Sequence, residues 1–113
     1  MGKLRFIIMD CADARKVGQF WASALDGYEA DEQEGGVLLK TDSGPQIAFE
    51  VVPEGKTVKN RLHLNIAADD RLADVKRLVG LGATEVEEIN VEGYVWTNMK
   101  DVEGNEFCVS QAQ

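Results

Sequence analysis

One histidine and two cysteines are all that 113 residues offer by way of soft metal-binding side chains, and no apolar run approaches the roughly 20 residues needed to cross a bilayer. Cys11 and Cys108 share no C-x-x-C spacing, and two cysteines are too few for a disulfide framework, so both are expected as reduced thiols. Basic residues are scarce as well: 12 Lys and Arg against 20 Asp and Glu give a formal net charge of −8. A nucleic-acid binder needs clustered Lys and Arg to displace counterions, and the nearest cluster here, Lys56, Lys59 and Arg61, is short. Neither nucleic acid nor a membrane is therefore expected as a partner. Gly35-Gly36 reads as a turn with no helix after it, so it carries no phosphate-loop signal. Met1 leads straight into "KLRFIIMD", without the charged leader and apolar core of a secretory signal, which makes the cytoplasm the expected location.

What is present suits a folded domain. Hydrophobic residues make up 44% and charged residues 28%, which excludes a disordered or collagenous chain. The length is that of one domain with a core of its own.

The chain states the same pattern twice. The strand-like "KLRFIIMD" is followed by Ala14, Val17, Phe20, Trp21, Ala24 and Leu25 at helical spacing, with Asp13 as N-cap and Gly27 just past the end. "YEADEQE" (28–34), "GVLLKT" (36–41) and "QIAFEVV" (46–52) then read as strands separated by turn residues. After the polar connector 53–59, "RLHLNIAA" begins again. Asp70 caps a helix carrying Leu72, Val75, Leu78, Val79 and Leu81, Gly82 closes it, and "TEVEEIN", "GYVWTNMK" and "EFCVSQ" supply three more strands. Helices are expected near 14–26 and 70–81. The two halves, 3–52 and 60–111, align by their punctuation: Asp13 with Asp70, Gly27 with Gly82, Gly44 with Gly104. The expected class is α+β, a tandem of β-α-β-β-β modules.

"MDCADARKVGQFWASALDG", "NRLHLNIAADD" and the closing "DVEGNEFCV" resemble the vicinal oxygen chelate superfamily, and within it the small glyoxalase-like domain. That superfamily includes glyoxalase I, bleomycin-resistance proteins, fosfomycin-resistance enzymes and extradiol dioxygenases. The resemblance implies two β-α-β-β-β modules paired into a curved mixed sheet around a cleft. Paired modules, together with sheet edges that need covering, lead to the expectation of a homodimer.

Alternation along the strands sorts side chains between the helix-covered face and the other. In 61–68, Leu62, Leu64 and Ile66 share the core face, leaving Arg61, His63 and Asn65 opposite. Phe107 and Val109 go to the core, so Glu106, Cys108 and Ser110 join His63. "QIAFEVV" offers Gln46, Ala48 and Glu50 by the same parity. "LRFIIM" is apolar on both faces, and alignment of the modules makes Phe6 the counterpart of His63, placing Phe6, Ile8 and Asp10 on the ligand side. In "GYVWTNMK" either Tyr94, Trp96 and Asn98 or Val95, Thr97 and Met99 face that side; large amphipathic rings favour the first set.

Metal-dependent relatives hold a divalent ion with one ligand from the first and one from the last strand of each module. Carried over, those positions are Phe6, Ala48 (or Glu50, one alternation on), His63 and Cys108. Phe6 and Ala48 coordinate nothing, so the pattern is broken at two of four positions. A metal, if held, would rest on His63, Cys108 and Glu50. His63 is thus a polar residue hydrogen-bonded near water, a ligand contact or general base, or a metal ligand. Two functions follow as expectations. The first is a metal-independent small-molecule binder of bleomycin-resistance type, without cofactor, whose cleft uses Phe6, Tyr94 and Trp96 as walls and Asp10, Arg61, Asn65, His63 and Glu50 as polar selectors, with Ile8 and Cys108 as further ligand-binding residues. The alternative is a divalent-metal lyase, isomerase or ring-cleaving relative in which Glu50 or His63 moves a proton; a metal-free enzyme with His63 as base is a third.

Overall fold

The computed structural model describes residues 2–112, and the chain divides into two compact units, one up to Lys56 and one from Thr57 on. The first unit runs β1 (Phe6–Cys11), α1 (Ala14–Ala24), β2 (Glu29–Gln33), β3 (Gly36–Lys40), β4 (Gln46–Val51). The second runs β5 (Leu64–Ala68), α2 (Arg71–Gly80), β6 (Thr84–Val91), β7 (Tyr94–Lys100), β8 (Glu106–Gln111). The expected α+β tandem of β-α-β-β-β modules is the observed order.

Each unit hydrogen-bonds into a four-stranded mixed sheet of the same topology, β1-β4-β3-β2 in one and β5-β8-β7-β6 in the other. The first strand of each unit runs parallel to the last, because a helix connects it back into the sheet, and the remaining pairs are antiparallel and joined by turns. One helix covers one face of each sheet: α1 packs on β2, β3 and β4, and α2 on β5, β6 and β8.

The local chemistry of the two units matches closely. Asp13 and Asp70 both take extended backbone and accept, at 3.1 Å, the amide proton three residues on (Lys16 and Ala73), which satisfies a donor that the helix start leaves unpaired. Gly27 and Gly82, just beyond the helices, have φ of 77° and 113°, a left-handed backbone that side-chain-bearing residues resist. The first helix buries Ala14, Val17, Gly18, Phe20, Trp21 and Ala24 against Val37, Leu39, Ile47 and Phe49. Phe20 and Trp21 meet edge to face, ring centres 5.3 Å apart.

Four details depart from the sequence expectation. The first helix stops at Ala24 with Leu25 as its cap, so Leu25 and Asp26 lie outside it. The second helix buries Arg71, Val75 and Leu78, while Leu72, Val79 and Leu81 are exposed. Its inward stripe is set by the i, i+4, i+7 rise from Arg71, whose guanidinium donates to Thr97 Oγ1 at 2.6 Å and to Glu88 Oε1 at 2.7 Å. An arginine thus occupies the core position that an apolar pattern assigned to leucine. Finally, β5 begins only at Leu64, the residue that pairs with Phe107, and Leu62 is exposed rather than part of the core. Arg61 and His63 precede the ladder, where no cross-strand partner imposes alternation.

Candidate functional site

On the second sheet the face away from α2 carries a connected set of polar groups. Asn65 lies opposite Cys108 in the parallel ladder, and Cys108 lies opposite Asn98 in the antiparallel one. The Asn65 side-chain amide donates to Cys108 Sγ at 3.0 Å, and its Oδ1 accepts from the Ser110 hydroxyl at 3.2 Å. Trp96 Nε1 donates to Asn98 Oδ1 at 3.1 Å, and the Tyr94 and Trp96 rings sit 5.6 Å apart, tilted. Thr97 and Met99 are buried on the helix side, so β7 presents Tyr94, Trp96 and Asn98 to the open face, the arrangement that amphipathic rings suggested.

At the end of this sheet a pocket of about 230 Å³ is lined by Lys59, His63, Val86, Glu87, Asn98, Met99, Lys100, Glu106 and Phe107. It opens where the β6–β7 register slips between Glu85 and Glu87, leaving Val86 as the unpaired extra residue of a bulge. Bulges bend a strand away from its partner, which is how this sheet makes room for a concavity. Lys100 and Glu106 face each other across the β7–β8 ladder. Glu106 also accepts the Asn60 amide proton at 2.9 Å, anchoring the irregular segment that brings His63 to the pocket. The imidazole is exposed and has no hydrogen-bond or ion-pair partner among the described residues. His63 is therefore a free polar group at a pocket wall, in contrast to a hydrogen-bonded surface histidine.

Some of the sequence candidates lie in the second unit and others in the first. His63 lines the pocket, and Asn65, Tyr94, Trp96 and Cys108 share the open face of the sheet. Arg61 is exposed and does not line the pocket. Phe6, Ile8, Asp10 and Glu50 belong to the first unit, where Phe6 and Ile8 lie level with Gln46 and Ala48, and Asp10 with Glu50, on the face away from α1. Lys59, Glu87, Lys100 and Glu106 are pocket residues that sequence reasoning did not single out. Glu106 was legible as sharing the His63 side by parity, but the bulge that opens the pocket has no signal in "TEVEEIN".

The donor set does not fit a divalent ion held as metal-dependent relatives hold one. Two of the four carried-over positions are Phe6 and Ala48, and at a third Cys108 is buried with its sulfur already accepting the Asn65 amide. No group of three or more His, Cys, Asp or Glu suited to a metal occurs among the described residues. Nor is any helix among the described residues long and apolar enough to cross a membrane.

Comparison with known proteins agrees with this architecture. Solved structures with the same fold include a glyoxalase/bleomycin resistance protein/dioxygenase family enzyme from Burkholderia phytofirmans PsJN, at TM-score 0.79 and 17% identity over 99% of this chain and 100% of that one. A glyoxalase-related enzyme from Fulvimarina pelagi aligns at TM-score 0.75 and 13% identity, over 98% of this chain and 88% of its own. The genomically encoded fosfomycin resistance protein of Listeria monocytogenes aligns at TM-score 0.74 and 14% identity, over 100% and 95%. No curated protein matches the sequence. The family profile of the glyoxalase-like domain matches residues 6–110. The chain belongs to the glyoxalase-like domain family of the vicinal oxygen chelate superfamily.

Proposed function

We propose that this protein binds a small molecule on the open face of its second sheet without a divalent metal, in the manner expected of bleomycin-resistance-type relatives. The observation that carries this reading is the substitution pattern at the metal positions: two apolar side chains, one thiol occupied by Asn65, and one histidine free at the wall of a pocket. Tyr94 and Trp96 supply apolar surface, His63 and Asn98 supply hydrogen bonds, and Lys59, Lys100, Glu87 and Glu106 supply charges of both signs around the pocket. This mix suits a ligand of moderate size with several polar substituents. The experiment is a thermal-shift screen of small-molecule libraries run in parallel with and without a chelator. The reading expects hits whose stabilisation is unchanged by chelation; hits that all vanish with chelator would overturn it and favour a metal-dependent lyase or isomerase.

We further infer a homodimer in the cytoplasm. Each sheet ends on two edge strands, and Phe6, Ile8, Val51, Val86, Val91 and Tyr94 are exposed apolar residues on or beside them. Association of two copies would cover such surfaces.

A further inference from the structure

The edge strand β6 holds its observed register at a cost. Val86 stands outside the ladder as the extra residue of the bulge, and beyond it Glu87 lies opposite Asn98, Glu88 opposite Thr97, Ile89 opposite Trp96 and Val91 opposite Tyr94. Residues directly opposite each other share a face, so this register turns Ile89 and Val91 to the open face and leaves Val91 54% exposed. The hairpin then closes on Glu92 and Gly93, at φ of 53° and 86°. Glu92 is the one non-glycine residue with positive φ among the described residues, a conformation that its side chain resists. Two contacts oppose these costs. Asn90 Oδ1 accepts the Gly93 amide proton at 3.0 Å. The buried Arg71 guanidinium, reaching from α2, bridges Thr97 Oγ1 and the Glu88 carboxylate directly opposite Thr97.

The same residues spell out a second register. Thr84 pairs with Lys100 and Glu85 with Met99; continuing that pairing without a bulge sets Val86 opposite Asn98, Glu87 opposite Thr97, Ile89 opposite Val95 and Asn90 opposite Tyr94. Arg71 then meets the Glu87 carboxylate in place of Glu88, Ile89 turns to the helix side, and Val91, Glu92 and Gly93 form a longer loop that releases Glu92 from its strained backbone. The tight turn and the bond from Gly93 to Asn90 are what this register loses. We propose that β6 exchanges between these two registers with Arg71 as pivot, passed from Glu88 to Glu87, and that the exchange closes the pocket lined by His63. Val86 rejoins the ladder, so the bulge that opens the pocket disappears, and Glu87 swings from the pocket wall to the helix side. That this exchange regulates binding rests on the reading of the pocket given above. The register is measured without a ligand, so the two can fail separately.

The test is backbone amide relaxation dispersion on the full chain, which detects a minor state exchanging on the microsecond-to-millisecond scale of such motions. Two substitutions of equal charge change at adjacent residues should act in opposite directions. Glu88→Gln weakens the Arg71 contact of the observed register and leaves Glu87 for the other, so the minor population should rise about fivefold, with exchange at the amides of 86–98 and the Gly93 amide losing its hydrogen bond in the minor state. Glu87→Gln removes the carboxylate of the second register and should lower that population by a similar factor. Asp70→Ala, which removes the α2 cap without touching either glutamate, controls for loss of stability alone and should leave the population as in wild type. Flat dispersion in Glu88→Gln, changes of the same sign in both glutamine variants, or a rise in Asp70→Ala equal to that in Glu88→Gln would each overturn the proposal.

Discussion

Among single residues, His63 and Arg71 show how far side-chain chemistry departs from sequence pattern. His63 is exposed and unpartnered within the described residues, so replacing it should scarcely affect folding. His63→Ala is expected to stay within about 0.5 kcal/mol of wild type in chemical denaturation, as surface changes generally do, while weakening ligand binding. Arg71 behaves oppositely. Its guanidinium is buried against Thr97 and Glu88, and Arg71→Ala would leave a buried hydroxyl without a partner. A loss of about 1–3 kcal/mol is expected in the same measurement. Arg71→Lys should recover little of it, because an ammonium lacks the fork that reaches both oxygens. Periodicity found the helix but assigned its inward stripe to Leu72, since a hydropathy pattern cannot distinguish a buried, hydrogen-bonded arginine from a solvated one. The open-face residues were more legible: alternation placed Asn65 and Cys108 together, amphipathic rings chose Trp96 and Asn98 for the same face, and the structure pairs Asn65 with Cys108 and Trp96 with Asn98 by hydrogen bonds. The same alternation failed at Leu62, because it holds only where a partner strand enforces the pleat.

In the elements, the punctuation carries the fold. The capping aspartates and left-handed glycines recur at matching places in both units, which is why element order could be read without a structure. Asp13→Ala or Asp70→Ala should each cost about 1 kcal/mol by thermal or chemical unfolding, the usual cost of losing a helix N-cap. Gly36 is a stricter requirement. A Cβ at this position meets the Phe49 carbonyl oxygen at 2.2 Å, so Gly36→Ala must push β3 from β4 and should destabilise by about 1–3 kcal/mol, the scale of overpacking. Its neighbour Gly35 faces open space, and a replacement there would be strained by φ of 81° alone. "GG" was read as a turn; that its second glycine is a contact between strands belongs to tertiary packing and left no local trace. The bulge between Glu85 and Glu87 is similarly silent in sequence, yet it opens the pocket that His63 lines.

For the whole molecule, the repeat and the family agree on the fold, and the departures from the family pattern point to the function proposed. The homodimer is tested by sedimentation at roughly tens of micromolar protein, where a weak dimer of this class should still be associated; a monomer throughout would contradict it. The central claim is that the second sheet works without a divalent ion. Isothermal titration of chelator-treated protein with Zn²⁺, Ni²⁺ and Mn²⁺ in turn tests it most directly, since no knowledge of the ligand is needed. The account predicts no one-to-one site tighter than about 1 µM for any of the three. One equivalent of metal bound more tightly than that by wild type, and lost in both His63→Ala and Cys108→Ser, would contradict it.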